Sequence, residues 1–474
     1  MGKGGKKLTD DDCSSGVQQS TPTRAKTSTS APSYTHIASA AESPLTLQPS
    51  DTGTNHQHQP PHCWHPPAKS NSSSGKRPWP WPASYKKRSS VSSSVNRSST
   101  SAGLKRAVRA YLLPRIRAET PYLVRLQTAH ACPFNDFFFT YIGAFGTHSA
   151  YMVLLPLIFF ADADVGGVNR HHYGRGLVII LALGVYITGL LKDWLCLPRP
   201  PSPPLVRLSA SSSAHLEYGF PSTHAANAVS VSLYSLAYLL VYVWPSAQWT
   251  VAQWLVQCAG TLVLVGYGVL VPLSRIYTGM HSLTDVVGGC VCGAAIAAAY
   301  MAVLDPFEAW LDGGVVVPAT LILATVLSLL IYPDPRDACP CYDDAVSFNA
   351  VVCGLLLGDW GVRVLGHSYL TPAPFAGSDA SCGSWREWSR VAGLRMALGV
   401  AAVVAWKAVS KPVFKVLFKT CGAPPESLQS PDGKFKLPRY TADTLARLCS
   451  YTGLAFCVSL GVPLLLFKAT DLHH

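Results

Sequence analysis

The feature that most limits how this chain can fold is the recurrence of apolar windows about 20 residues long, the length a helix needs to cross a bilayer core of about 30 Å. Such windows fall at roughly 137 to 160, 176 to 194, 225 to 244, 251 to 273, 284 to 304, 314 to 332, 345 to 366, 391 to 414 and 447 to 467. In lipid every backbone N–H and C=O must be satisfied internally, which leaves only helices or closed barrels. The expected architecture is therefore an all-α, polytopic membrane helix bundle of about eight to nine spans. Composition agrees: 49% of the 474 residues are hydrophobic and 14% are charged, too little charge for an ordinary soluble enzyme.

Residues 1 to 126 have a different character. They hold 18 Lys+Arg against 6 Asp+Glu, the whole of the net charge of +12, so the remaining body is neutral. Stretches such as KRPWPWPASYKKRSSVSSSVNRSST cannot bury enough apolar surface to offset chain entropy. The expectation is a disordered basic tail to about residue 100, then a juxtamembrane segment. A basic tail beside membrane spans suits contact with anionic lipid, and it has no nucleic-acid recognition motif, so no nucleic-acid partner is expected. The 14 cysteines include no CxxC pair; Cys290 and Cys292 in CVC and Cys339 and Cys341 in CPC come nearest. Neither a zinc site nor a disulfide framework is signalled, and no metal or other cofactor is expected.

Three polar clusters fall at the ends of spans. KDWLCLPRP (192 to 200) closes the second, YGFPSTH (218 to 224) opens the third, and SRIYTGMH (274 to 281) joins the fourth to the fifth. Alternate threading puts all three at one membrane face, where they can share a pocket. Lys192, Arg199 and Arg275 would then bring three positive charges together at the edge of a low-dielectric medium, an arrangement that calls for an anion among them. Arginine offers a planar fork of donors that suits phosphate oxygens, and lysine adds a point charge. Snorkelling to the interface would explain a single lysine well and three converging cations poorly.

His281 and Asp285 are four residues apart, so on a helix they share a face and can hydrogen-bond. With Asp285 holding its tautomer, His281 can attack phosphorus. His224, arriving from the other side, can protonate the departing alcohol and later activate water. Ser222 and backbone amides at the helix start can donate to phosphate oxygens. A pure binding site would need only the cations, so the two histidines point to an enzyme. Asp359, Arg363 and Arg395 in the later spans read as helix-end or packing charges.

The series Lys-x6-Arg-Pro, Pro-Ser-x-His and Ser-Arg-x5-His-x3-Asp resembles the signature of the type 2 phosphatidic acid phosphatase superfamily. The resemblance implies that His281 is the nucleophile, Asp285 its support and His224 the acid, with Lys192, Arg199, Ser222 and Arg275 cradling the phosphate. One position departs from the pattern: the usual glycine before the histidine is Thr223, which adds a hydroxyl to the phosphate-binding set. Within the superfamily, KDWLCLPRPPSPP and EYGFPSTHAAN look most like the sphingosine 1-phosphate phosphatases, especially the fungal long-chain-base phosphate phosphatases.

That resemblance implies metal-independent hydrolysis of sphingoid base 1-phosphates through a phosphohistidine, in the endoplasmic reticulum membrane. It also implies a division into the tail and juxtamembrane segment (1 to 126), a catalytic core of the six-helix type containing the first five spans (127 to 310), and additional C-terminal spans (311 to 474). Action on another lipid phosphate, such as phosphatidic acid or a polyprenyl diphosphate, head-group transfer, and non-catalytic lipid-phosphate binding or transport all share this pocket chemistry. On orientation the signals conflict. Two spans before Lys192 put the site on the side of the tail, and Lys105, Arg106, Arg109, Arg115, Arg117 and Arg125 favour a cytosolic tail. The resemblance implies a lumenal active site, which is the expectation adopted here.

Overall fold

The computed structural model describes residues 99–160, 170–208, 216–244, 250–334, 339–365, 382–424, 428–429, 435–436 and 440–467. The tail read as disordered lies outside them, apart from its last residues.

Eleven helices follow in order among these residues: α1 (Ser99–His130), α2 (Pro133–Ala144), α3 (His148–Phe160), α4 (Arg170–Leu195), α5 (Thr223–Tyr238), α6 (Val251–Tyr277), α7 (Leu283–Leu311), α8 (Val316–Ile331), α9 (Cys341–Val364), α10 (Cys382–Thr420) and α11 (Ala442–Phe456). A π-helical segment prolongs α5 through Leu239–Val243, and others prolong α11. The described β structure is a two-residue antiparallel pairing of Leu428–Gln429 with Phe435–Lys436. Among the described residues, seven helices are long and apolar enough to cross a membrane: His172–Leu195, Thr223–Val243, Val251–Tyr277, Leu283–Leu311, Cys341–Val364, Ala392–Thr420 and Ala442–Leu465. The chain is a multi-pass membrane protein, and α6 shows lipid an outer face of Leu255, Val256, Leu262 and Val263.

The first expected span is not one helix. The window 137 to 160 breaks between α2 and α3 at Phe145–Thr147. The break follows from packing against α6. A Cβ on Gly143 would lie 3.0 Å from Arg275 Nη1, and one on Gly146 would lie 2.9 Å from Val271 Cγ1 and 3.1 Å from His224 Cδ2. The Thr147 hydroxyl then caps the next helix, accepting from Ala150 N at 3.4 Å. Together α2 and α3 still run down α6: Phe139 stacks near Tyr277, and the Tyr151 and Tyr267 hydroxyls meet at 2.6 Å. The expected sixth span is also short, since α8 has 16 residues, about 24 Å of helix.

Two glycines set the central crossing. Side chains at Gly289 and Gly293 of α7 would meet Ser222 O at 2.4 Å and Ala226 O at 2.2 Å, so only hydrogen lets α5 and α7 approach this closely. That contact brings the start of α5 beside the start of α7.

Helix α1 lies across the ends of three others. Arg109 donates to Leu195 O and, at 2.8 Å, to Cys196 O beyond the end of α4. Gln127 Nε2 donates to Tyr277 O at 3.0 Å, at the end of α6. Glu119 Oε2 accepts from Thr284 N at 3.0 Å, at the start of α7. The juxtamembrane segment is thus docked on the end of the bundle where the three motifs sit.

The opposite end is held by charge. Arg175 of α4 pairs with Glu308 of α7 and, at 2.8 Å, with Asp359 of α9. Arg363 reaches Glu308 at 3.0 Å, Asp359 at 3.2 Å and Asp312 at 2.5 Å. Asp359 and Arg363 are packing charges, as expected, and join three helices; Arg395 is buried in α10.

Candidate active site

The four helix ends deliver the motif residues to one place. Lys192 sits in the last turn of α4, Arg199 on the loop after it, Ser222, Thr223 and His224 at the start of α5, Arg275 in the last turn of α6, and His281 and Asp285 around the start of α7. Lys192, Arg199, Arg275, His281 and Asp285 are all buried, as are Ser222 and Thr223, while His224 is half-buried.

His281 is the centre of this group. Its Nε2 lies 3.1 Å from Arg199 Nη1. Arginine can only donate, so Nε2 accepts and the ring proton sits on Nδ1, the nitrogen that faces Asp285. Burial pushes the imidazole well below its usual range, and the charges of Arg199, Arg275, Lys192 and His224 push the same way. A neutral ring with an unprotonated Nε2 is the form a nucleophile needs, once a substrate phosphate takes the place of that hydrogen bond.

The expected His281–Asp285 hydrogen bond is looser in the structure than the spacing suggested. His281 Nδ1 and Asp285 Oδ2 are 3.7 Å apart, beyond hydrogen-bond range. Helix α7 begins at Leu283, so His281 precedes it. Asp285 Oδ2 instead accepts from Ser282 N at 2.8 Å, and the Ser282 hydroxyl accepts from Asp285 N at 3.1 Å, a capping box that anchors the carboxylate. Asp285 Oδ1 and His281 Nδ1 have no hydrogen-bond partner among the described residues.

The cations are partly occupied by a residue that sequence reasoning missed. Glu217 Oε2 takes Lys192 Nζ at 3.1 Å and Arg199 Nη2 at 3.1 Å. A single carboxylate oxygen of Glu217 bridges the two cations, as one phosphate oxygen could. The available signal was its place directly before the YGFPSTH stretch, but a single acid has no spacing that identifies it. Arg199 is held further by Glu217 O at 3.0 Å and Met280 O at 2.8 Å. Arg275 Nε has no hydrogen-bond partner among the described residues.

Thr223 and Ser222 have separate tasks. The Thr223 hydroxyl accepts from Lys192 Nζ at 2.9 Å and meets the Thr188 hydroxyl at 2.8 Å, so the residue that departs from the usual glycine steers the lysine. The Ser222 hydroxyl caps α5, and its backbone N donates to Asp285 O at 3.0 Å, tying the two halves of the site together. His224 approaches from the α2–α3 break at Gly146.

Sequence spacing also missed a buried cluster near Lys192. Asp193, Cys339 and Cys341 place ligand atoms within 4.8 Å of one another, and Tyr332 donates to Asp193 Oδ2 at 3.0 Å. Three donors are one short of a closed tetrahedral zinc site.

Residues 174–308 match the PAP2 superfamily. A dihydrosphingosine 1-phosphate phosphatase of Schizosaccharomyces pombe is 29% identical over 394 residues, 76% of this chain and 90% of that protein. A dihydrosphingosine 1-phosphate phosphatase of Saccharomyces cerevisiae is 31% identical over 315 residues, 66% of this chain and 72% of that protein. Sphingosine-1-phosphate phosphatase 2 of Mus musculus is 30% identical over 227 residues, 48% of this chain and 59% of that protein. Shared sequence of this extent, with the three motifs joined at one end of a helical bundle, places the chain in the PAP2 superfamily.

Proposed function

We propose that this protein is a phosphatase of sphingoid base 1-phosphates that works without a metal, through a phosphohistidine. The observation that carries the reading is His281, neutral and buried among Lys192, Arg199 and Arg275, with Nε2 turned to the cations. The similarity to dihydrosphingosine 1-phosphate phosphatases supports the substrate class.

In this reading the phosphate monoester displaces the Glu217 carboxylate and takes hydrogen bonds from Lys192, Arg199 and Arg275, with Ser222 and Thr223 at the start of α5. His281 Nε2 attacks phosphorus as the ester P–O bond breaks, and the Nδ1 proton moves into hydrogen-bond range of Asp285. His224 gives its proton to the leaving alcohol oxygen. It then takes a proton from water, which attacks phosphorus, breaks the P–N bond and returns His281 to its neutral form. The cations supply the charge stabilisation that a metal provides in other phosphoryl-transfer sites.

The chain divides in this proposal into a basic tail and juxtamembrane segment (1 to 126), a catalytic core (127 to 310) and additional spans (311 to 474). The site faces the lumen of the endoplasmic reticulum. Docking of α1 at the catalytic end supports a tail on the same side as the site. A reporter tag at position 30 that resists added protease in sealed microsomes is the expected result; digestion without detergent overturns the lumenal assignment.

The test of the activity is phosphate release from dihydrosphingosine 1-phosphate by purified protein in excess chelator. Undiminished release, abolished by His281→Ala, is expected. Activity that vanishes with chelator and returns with magnesium overturns the mechanism.

A further inference from the structure

We propose that an apolar cleft between α3, α9 and α11 receives the alkyl chain of the substrate and limits its length. The inference rests on the reading of the substrate as a single-chain lipid phosphate. The cleft is open along part of its length, and about 860 Å³ of space lies within it and at its open side.

Its polar groups gather at one end. Asp344 and Ser347 stand on the first two turns of α9, with Arg447 and Tyr451 opposite on α11. Below them the walls are Phe348, Val351 and Leu355 of α9 and Leu454, Ala455 and Val458 of α11. The floor closes on a buried cluster that includes Phe160 and Val462, with Leu398, Ala402 and Trp406 of α10 packed against it. From Asp344 to Leu355 the α9 wall rises about 16 Å, close to half of a bilayer core of about 30 Å and so to the depth of one lipid chain.

Two of its walls begin beside the catalytic residues. Gly146 abuts His224, and Tyr151, little more than one turn further along α3, lines the cleft. Cys341 O lies 3.4 Å from where a Cβ of Gly189 would stand, one turn before Lys192, and Asp344 follows Cys341 within a turn of α9. The polar end of the cleft therefore lies at the same end of the bundle as the phosphate cradle, and its apolar end points away.

Charge selects the occupant. A sphingoid base 1-phosphate carries an ammonium group close to its phosphate, and Lys192, Arg199 and Arg275 would repel it. Asp344 gives the mouth a carboxylate of its own, while Asp343 and Asp443 share Arg447, at 3.6 Å and 2.7 Å. Residues 174–308, the part that matches the superfamily, supply only Val178 to the lining. Chain selection thus belongs to helices outside that match, which gives the C-terminal spans a task.

The test fills the cleft and compares substrates. Ala455→Phe raises the floor, and Val351→Phe narrows the wall at a half-buried position that tolerates bulk more readily. The readout is the ratio of kcat/KM for dihydrosphingosine 1-phosphate to that for its short-chain homologue, with thermal unfolding in detergent followed in parallel. A fall of about tenfold or more in that ratio, expressed in KM, is expected for both variants. Equal loss on both substrates, or no loss, overturns the proposal and assigns the cleft to an ordinary bilayer lipid. Asp344→Asn should weaken binding of the amine-bearing substrate several-fold more than that of lysophosphatidic acid, which has one chain and no amine; equal effects overturn the ammonium contact. If the wild-type protein hydrolyses no sphingoid base 1-phosphate, the substrate reading fails by itself. The same ratio measured on long- and short-chain lysophosphatidic acid then decides the cleft.

Discussion

The two ends of the bundle both bury charge, and they treat it differently. At the end away from the motifs, Arg175 and Arg363 face Glu308, Asp312 and Asp359, each cation held by at least two carboxylates from neighbouring helices. At the catalytic end, Lys192, Arg199 and Arg275 gather around a neutral His281 with Glu217 as the bridging anion, and Arg275 Nε has no hydrogen-bond partner among the described residues. A cluster that satisfies itself is a fastener between helices. A cluster with cations in surplus is a receptor for an anion brought from outside, and the difference is visible before any ligand is considered.

The sharpest way to break this comparison is to remove the neutral centre of the receptor. His281→Ala should lower kcat by a factor on the order of 10⁵, or to the detection limit, with the unfolding temperature little changed. Rapid-quench labelling should find no phosphoenzyme in that variant, while His224→Ala should accumulate one from a substrate whose leaving group needs no proton. Labelled phosphate on His224 would reverse the two roles.

Matched arginine deletions probe the two clusters directly. Arg275→Ala should lose on the order of 10² to 10³ in kcat/KM and keep most of its stability. Arg175→Ala leaves Glu308 and Asp359 short of a buried partner and should destabilise the fold by about 3–5 kcal/mol, with normal turnover per folded molecule. If both variants lose activity and stability alike, the distinction between fastener and receptor is wrong.

A smaller effect comes from pH. The folded protein holds His281 below the value of about 6.5 that the unfolded chain restores. The unfolded state therefore binds the proton first as pH falls. The stability linked to His281 is complete above about 6.5 and is lost on going down from there through the folded value, at a slope of up to about 1.4 kcal/mol per pH unit. His281→Gln should flatten the fall of unfolding temperature between neutral and mildly acidic pH; an unchanged slope would mean that other groups carry it.

The smallest expected change is at Glu217. Glu217→Gln removes a partly exposed competitor for the cations, so inorganic phosphate should inhibit about fivefold more tightly, equivalent to about 1 kcal/mol. Weaker inhibition would show that the carboxylate positions Lys192 and Arg199 more than it competes for them.

What could be read in the sequence follows the range of the interactions. The motifs were legible because Lys192 to Arg199, Ser222 to His224 and Arg275 to Asp285 each lie within a few turns, and because helix threading fixes which ends share a face. The break at Phe145–Thr147 was not, since the window is uniformly apolar and the cause is the close approach of Arg275, Val271 and His224 from other helices. Glu217 was missed because nothing local tells a bridging carboxylate from a solvated one. The loose His281–Asp285 contact was misjudged because a spacing of four describes a helix interior, whereas here the helix starts between the two residues. Asp193 and the CPC cysteines meet only through the packing of α9 on α4, which no motif encodes.

Helix α1 has a consequence for how the catalytic end keeps its dimensions. Arg109, Glu119 and Gln127 each grip the end of a different membrane helix, so one rod of 32 residues acts as a common rail for three pieces that the lipid alone would leave to tilt separately. A fragment starting just after His130 would keep every catalytic side chain and lose the rail. Its outward side, with Arg106, Arg115, Arg117 and Arg125 exposed, lies where load from the bilayer surface would be felt. Any such load would be shared by the ends of α4, α6 and α7 together and could not wedge one of them away from the rest.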